Sequence, residues 1–136
     1  MSLPAVGVEY VTSRSVTQLQ INAYAEASGD RNPLHVDPVF AVSTPLGGTV
    51  AHGMLVLGWV SALLTEAFGH AWIRHGTLRV RFRTPARPGD TLALRAQVTS
   101  VDSQDEVTKL GLTVTATNQG GDEVLSGQAT VAIPRR

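Results

Sequence analysis

Hydrophobic and polar residues alternate with a period of two through most of the chain after residue 76. This period is typical of β-strands that bury one face. In the first such segment, the apolar residues Leu78, Val80 and Phe82 alternate with Arg79, Arg81 and Arg83. Turn-forming clusters separate three further predicted strands, at about residues 91–101, 106–117 and 123–133. Consecutive strands joined by short turns predict an antiparallel meander.

The beginning of the chain predicts one strand followed by one helix. Residues 8–16 are rich in β-branched side chains and predict the strand. Thr17 is a suitable helix N-cap, and apolar residues then recur near helical spacing. The sequence Ser28-Gly29-Asp30 ends this pattern, so the helix leads directly into the segment that follows.

A longer helix is predicted over residues 53–68, between Gly53 and Gly69. It is apolar on nearly every side, which indicates a buried helix, and it is too short for a comfortable membrane span. Its polar exceptions, Ser61 and Thr65, are spaced to share one face. A sheet wrapped around one apolar helix gives an α+β fold with a single core.

The segment from Ser28 to His52 is too rich in turn formers to be one continuous element. It contains Asn32-Pro33, Asp37-Pro38 and Gly47-Gly48, and a short helix is predicted within it at 38–43. Connections of this length in small domains usually form a lid or a functional site. A second loop is predicted after the long helix, and it contains His70 and His75.

Composition narrows the class of protein. A chain of 136 residues with 43% hydrophobic side chains fits one domain, 1–136, that is large enough to fold alone. Eleven Lys and Arg balance eleven Asp and Glu, so no global charge favours nucleic acid or an anionic membrane. The sequence shows neither a signal-peptide pattern nor a membrane-spanning run, so a cytoplasmic location is expected. Cysteine is absent, which excludes disulfides and thiolate chemistry, and no metal site is expected.

A carboxylate and an imidazole, those of Asp30 and His35, come close together in the long loop. The intervening Asn32-Pro33 stiffens the chain, so both side chains can hold one small ligand such as water. A positioned acid–base group of this kind contributes about 10²–10⁴-fold in rate. The same residues also fit ordinary turn chemistry, with Asp30 capping a turn and His35 as a polar loop residue.

The start of the apolar helix, in the sequence Ala51-His52-Gly53-Met54, favours the chemical interpretation. The first amides of a helix have no partner within it, and with the helix dipole they stabilise negative charge. A Gly53 amide beside an acid–base pair suits an enolate oxygen formed during chemistry at the α and β carbons of a thioester.

Three segments carry a resemblance to a known family. They are YAEASGDRNPLHVDPVFA at 24–41, AHGML at 51–55 and VRFRTPARPGD at 80–90. Together they resemble the MaoC-like (R)-specific enoyl-CoA hydratases and 3-hydroxyacyl-thioester dehydratases, and the similarity extends over most of the chain. The hydratase motif is long and specific. The resemblance implies the hot-dog fold, an antiparallel sheet wrapped around a long central helix.

The resemblance implies roles for individual residues. Asp30 and His35 hold the catalytic water, Asn32 helps to fix the loop, and the Gly53 amide binds the thioester oxygen. Asp30 is favoured as the base, while His35 orients the water and shares proton delivery to the α carbon. The residues alone leave the order of these two proton transfers open.

Two further residues are expected to support the site. Ser61 matches a serine that supports the site in relatives, and the alternative is a helix serine that bonds its own backbone. His52 adjoins the proposed oxyanion donor, but a histidine at a helix start is more often structural than catalytic. Neither is expected to transfer protons.

The reaction implied by the resemblance is reversible syn hydration of a trans-2-enoyl-CoA to an (R)-3-hydroxyacyl-CoA. Three alternatives stay open: dehydration of a 3-hydroxyacyl group on acyl carrier protein in fatty-acid or polyketide biosynthesis, acyl-CoA thioester hydrolysis, and a non-catalytic partner subunit or acyl-thioester binding module. No separate cofactor is expected, because coenzyme A or carrier phosphopantetheine is part of the substrate. The expected assembly is a homodimer, with a heterodimer of related hot-dog subunits as the alternative.

Four arginines permit two interpretations. The predicted strand carries Arg79, Arg81 and Arg83, and Arg87 follows it. Each of them fits a solvated face, and this interpretation is favoured for any single one of them. Guanidinium groups also suit phosphate, so one or two of them are candidates to contact coenzyme A at the mouth of a tunnel.

Overall fold

The computed structural model describes residues 2–135. Its elements in chain order are β1 (Glu9–Ser15), α1 (Gln18–Ser28), α2 (Pro33–Val36), α3 (Pro38–Val42), α4 (Gly53–Phe68), α5 (His70–His75), β2 (Gly76–Phe82), β3 (Thr91–Ser103), β4 (Val107–Thr117) and β5 (Glu123–Pro134). The strands form one sheet in the order β1-β3-β4-β5-β2, and every pair of neighbours is antiparallel.

The predicted meander is confirmed for β3, β4 and β5 but is wrong for β2. β3 pairs with β4, and β4 with β5, whereas β2 pairs with β5 at the far edge of the sheet. Residues 83–90 connect β2 to β3, and eight residues reach at most about 26 Å. They can therefore cross the roughly 14 Å occupied by the intervening strands, and a hairpin is not required.

The core lies between α4 and one face of the sheet, as the sequence predicts. Side chains along β3 and β4 alternate between buried and exposed positions, and the buried set contacts the helix. The helix contributes Val56, Trp59, Val60, Leu63, Leu64 and Phe68, and the strands contribute Leu92, Leu94, Ala96, Val98, Leu110, Leu112, Val114, Leu125, Ala129 and Val131. One side of α4, along Met54, Gly58 and Ala62, is exposed in the single chain, so the helix is not buried on every side.

The loop predicted around His70 and His75 is wrong, because these residues begin and end α5. Gly69 has a φ of 58°, a left-handed conformation that turns the chain sharply between α4 and α5. Trp72 anchors α5 to the core, where its side chain is only 7% exposed. No helix within residues 2–135 combines the length and the hydropathy needed to cross a bilayer.

Candidate active site

The end of α1 directs the chain toward Asp30. Thr17 and Gln20 form the capping box that starts the helix. At the other end Gly29 has a φ of 82° and its amide donates to the Ala25 carbonyl, an ending for which glycine is the favoured residue. The Asp30 amide then donates to the Ser28 hydroxyl at 3.1 Å, which holds the turn close to the helix.

A second short helix, α2, presents His35. The Asn32 side chain accepts from the Leu34 amide at 3.0 Å, and Pro33 occupies the first helical position, where its missing N–H costs nothing. The backbone N–H of Asn32 in turn donates to the Asp30 carboxylate at 3.3 Å. These contacts are consistent with the loop-fixing role expected for Asn32, and α2 itself was not predicted.

The structure brings Asp30, His35 and His52 together. The imidazole rings of His35 and His52 stack with centroids 3.8 Å apart and planes inclined by 25°. One ligand-type atom from each of the three side chains lies within 4.8 Å of the others. His35 contributes from α2 and His52 from the residue that precedes α4. The sequence places His35 near Asp30 and names His52 as a supporting residue, and the fold brings His52 into contact with both.

Backbone contacts assign the ring protons of both histidines. The His35 Nδ1 lies 2.8 Å from the Val50 carbonyl oxygen, and a carbonyl only accepts, so Nδ1 carries a proton and Nε2 is the nitrogen that can accept from a ligand. The His52 Nε2 lies 2.9 Å from the Asp30 carbonyl oxygen and carries the proton by the same reasoning. Asp30 and His35 therefore offer two hydrogen-bond acceptors to one ligand.

Access differs among the three side chains. Asp30 is exposed and His35 is half-buried, so a ligand can reach both. His52 is only 3% exposed, and its Nδ1 is buried with no hydrogen-bond partner among residues 2–135. An unsatisfied buried acceptor costs about 1–3 kcal/mol.

The first amides of α4 lie next to this cluster in sequence and are free to bind a ligand. Within residues 2–135, neither the Gly53 amide nor the Met54 amide donates to a protein acceptor. Gly53 also borders a cavity of about 190 Å³ whose lining includes Val56, Phe82 and Pro85. An oxygen bound at these amides would meet the positive end of the helix dipole.

Phe82 packs so closely over Gly53 that a larger residue at position 53 would displace the phenyl ring. A Cβ added at Gly53 would lie 2.9 Å from Phe82 Cε1. We expect Gly53→Ala to fold but to lower kcat/KM by about tenfold, because the moved ring reshapes the cavity beside the amide. Steady-state kinetics with a 2-enoyl-CoA, the substrate that the resemblance implies, check this.

The matched control is Gly58→Ala, also on α4, where an added Cβ meets no atom within 4 Å. Its kcat/KM should stay unchanged. Phe82→Leu should restore part of the activity of Gly53→Ala by making room. A Gly53→Ala enzyme as active as the wild type would contradict the close contact.

Ser61 lies about 12 Å along α4 from Gly53, at 1.5 Å per residue. Its hydroxyl accepts a hydrogen bond from the Trp72 indole N–H at 3.0 Å. The alternative considered for Ser61, a bond to the helix backbone, is made instead by the Thr65 hydroxyl, which donates to the Ser61 carbonyl at 2.8 Å. Within this chain, Ser61 thus ties α5 to α4 and does not contact Asp30 or His35.

Arg79, Arg81 and Arg83 line one open surface pocket over β2 and β5, and Arg87 is not part of its lining. Leu78 and Val80 pack against the core, so the alternating Arg79 and Arg81 face away from α4 and from the cluster. Arg83 is engaged by the Ser126 hydroxyl at 3.0 Å and by Glu123 at 3.4 Å. These positions favour the solvated interpretation for Arg79 and Arg81. Arg87 is half-buried, and its guanidinium lies beside Gly48. Gly48 belongs to the loop that leads to His52.

An ion pair covers the outside of the turn that precedes Asp30. Arg31 donates two hydrogen bonds to the Glu26 carboxylate, each of 3.0 Å. The hydrogen bonds and the positive charge of Arg31 lower the pKa of Glu26. Both groups are exposed to solvent, so the pair contributes little to stability.

Gln18 supports the site from α1, and sequence reasoning missed it. Its side-chain amide donates to the His35 carbonyl oxygen at 2.8 Å, and its carbonyl oxygen accepts from the Thr49 hydroxyl at 2.7 Å. Thr49 is 9% exposed. A polar residue in the first turn of a helix carries no signal that distinguishes this role, because its partners lie 17 and 31 residues away.

We expect Gln18→Met to destabilise the protein by about 1–3 kcal/mol, since it leaves the buried Thr49 hydroxyl without this acceptor. Urea unfolding of the variant and the wild type measures the difference. Gln128→Met, at an exposed position of β5, is the matched control and should change stability by less than about 0.5 kcal/mol. Equal stability of Gln18→Met and the wild type would contradict the role of this contact.

Comparisons with known proteins match the chain over nearly its whole length. The family model described as MaoC like domain matches residues 2–120. A 3-hydroxybutyryl-CoA dehydratase of Methylorubrum extorquens is 29% identical over 131 residues, covering 96% of this chain and 82% of that protein. An (R)-specific enoyl-CoA hydratase of Aeromonas caviae is 32% identical over 130 residues, 95% of each chain.

The structural comparison agrees with the sequence comparison. The structure of the (R)-hydratase from A. caviae involved in PHA biosynthesis matches with a TM-score of 0.83 and 28% identity, covering 96% of this chain and 98% of that one. With the five-stranded sheet around α4, this match confirms the hot-dog fold that the motifs imply.

Proposed function

The chain belongs to the MaoC-like family, and from this premise we propose that it reversibly adds water to a trans-2-enoyl-CoA, giving the (R)-3-hydroxyacyl-CoA. Its relatives include a 3-hydroxybutyryl-CoA dehydratase and an (R)-specific enoyl-CoA hydratase. One observation carries the proposal: the Asp30 carboxylate and the His35 imidazole lie within 4.8 Å of each other, and the start of α4, whose first amides have no acceptor in residues 2–135, follows directly on His52. That combination suits addition of water beside a carbonyl.

The two acceptors define how water is held. A water molecule between Asp30 and His35 donates one O–H to each, which leaves an oxygen lone pair to attack the β carbon. Asp30 takes the proton as the Cβ–O bond forms. The π electrons of the double bond move onto the thioester, whose oxygen becomes an enolate.

The Gly53 amide and the dipole of α4 stabilise that enolate oxygen. A proton then returns from the Asp30–His35 pair to the α carbon, and the carbonyl re-forms. One hydroxyl and one hydrogen have then been added. Because the same pair serves both carbons from one side, the addition is syn.

The acyl carrier separates this proposal from its nearest alternative, dehydration of a 3-hydroxyacyl group on acyl carrier protein. The test compares 2-enoyl groups of the same length on coenzyme A and on carrier protein, following loss of the conjugated enoyl thioester spectrophotometrically. We expect a kcat/KM at least about tenfold higher with coenzyme A. A preference of that size for carrier protein would favour the dehydratase instead.

We further propose that the protein works as a homodimer. β2 is an edge strand, paired within residues 2–135 only to β5, and its free edge is available to a second copy or to a related subunit. No separate cofactor takes part, because coenzyme A enters as part of the substrate. The cytoplasmic location expected from the sequence stays a prediction.

A further inference from the structure

His52 contacts both members of the acid–base pair and is closed off from the ligand. Its Nε2–H donates to the Asp30 carbonyl at 2.9 Å, and its ring stacks on His35 at 3.8 Å. Tyr24 also packs against this ring, with centroids 4.8 Å apart. With 3% exposure, the imidazole is held on the protein side of the cluster.

The protonation pattern excludes His52 from the proton transfers. Its only proton is committed to the Asp30 carbonyl, and its remaining lone pair, on Nδ1, is buried without a partner in the described chain. A buried polar atom left unsatisfied requires an explanation, because such atoms are rare in folded proteins. A purely apolar packing residue would avoid the problem but would supply no donor to Asp30.

From this geometry we infer that His52 is a positioning residue, which sets the main chain of Asp30 through its Nε2–H and braces the imidazole of His35 through the stack. Asp30 is otherwise an exposed residue on a turn, so this hydrogen bond is its tie to the start of α4. His52 also directly precedes Gly53, the first residue of α4, in the chain. His52 thereby couples the acid–base pair to the oxyanion donor, a role that rests on the proposed function.

Two substitutions separate the contributions of His52. His52→Phe keeps an aromatic ring for stacking but removes the donor. His52→Gln keeps a side-chain N–H donor but removes the ring. His70→Phe and His70→Gln, at an exposed position in α5, are the matched controls and should leave kinetics unchanged.

We expect His52→Phe to lower kcat with a 2-enoyl-CoA by at least about tenfold while KM stays within about twofold. Misplacement of a catalytic group affects turnover more than ground-state binding. On a logarithmic scale, the kcat of His52→Gln should lie at least about a third of the way from that of His52→Phe back to that of the wild type. A His52→Phe enzyme with wild-type kcat would overturn the donor role, and a His52→Gln enzyme with wild-type kcat would overturn the stacking role.

Amide hydrogen exchange provides a readout that does not depend on activity. In His52→Phe, residues 29–36 should exchange at least about fivefold faster than in the wild type, while amides of β3 and β4 keep their protection. Unchanged exchange at 29–36 would overturn the inference even if the enzyme were slow. Absence of hydratase activity in the wild type would instead overturn the proposed function and leave the exchange result valid.

Discussion

Replacing Asp30 by Asn should lower kcat with a trans-2-enoyl-CoA by at least about a hundredfold, about 2.7 kcal/mol in activation free energy. The amide keeps the shape of the carboxylate and retains an oxygen to accept from the Asn32 amide, a bond of 3.3 Å in the wild type. It lacks the basic oxygen that takes the proton from water. Steady-state turnover of purified variant and wild type measures the effect.

The substitution should leave the fold intact, because Asp30 is exposed and its backbone carbonyl stays available to His52. Thermal unfolding of Asp30→Asn should match the wild type. Asp105→Asn, at an exposed turn, is the matched control and should have normal activity. A folded Asp30→Asn variant with near-normal turnover would remove Asp30 from the mechanism.

Replacing His35 by Gln should also lower kcat by at least about a hundredfold. Glutamine cannot supply the lone-pair nitrogen that accepts from water, and a positioned group of this kind contributes about 10²–10⁴-fold. The stack on His52 is lost as well. Gln18 still holds the backbone carbonyl of residue 35, since that contact does not involve the imidazole, so α2 should remain in place.

The double variant Asp30→Asn with His35→Gln distinguishes a working pair from two independent groups. Residues that act as a unit give losses that are far from additive. We expect the double variant to be only slightly slower than the slower single variant. A loss equal to the product of the two single losses would contradict a shared water.

The parts of the fold that were predictable from sequence depend on neighbours in the chain. The N-cap at Thr17, the stop at Gly29 and the apolar run of α4 are all local signals, and each element lies where the pattern indicates. Asp30 and His35 were identified for the same reason, since only four residues lie between them. The Phe82 contact with Gly53 and the pairing of β2 with β5 depend on the tertiary fold, and local patterns do not encode them.

The supporting contacts of the candidate site escaped prediction for this physical reason. His52 reaches Asp30 across 22 residues, and Gln18 reaches His35 across 17. Ser61 was expected to support the site through the resemblance, yet its hydroxyl binds Trp72, whose helix α5 was predicted to be a loop. The indole N–H of Trp72 needs a hydrogen-bond partner when the ring is buried. That need is the signal in the sequence that was overlooked.

The identity of the product tests the central claim most directly. Incubating the wild-type protein with crotonyl-CoA and analysing the mixture by mass spectrometry should reveal one new species, heavier than the substrate by one water molecule and with its thioester intact. Free coenzyme A thiol should not accumulate. Release of free thiol, or recovery of unchanged crotonyl-CoA by a folded protein, would contradict the account.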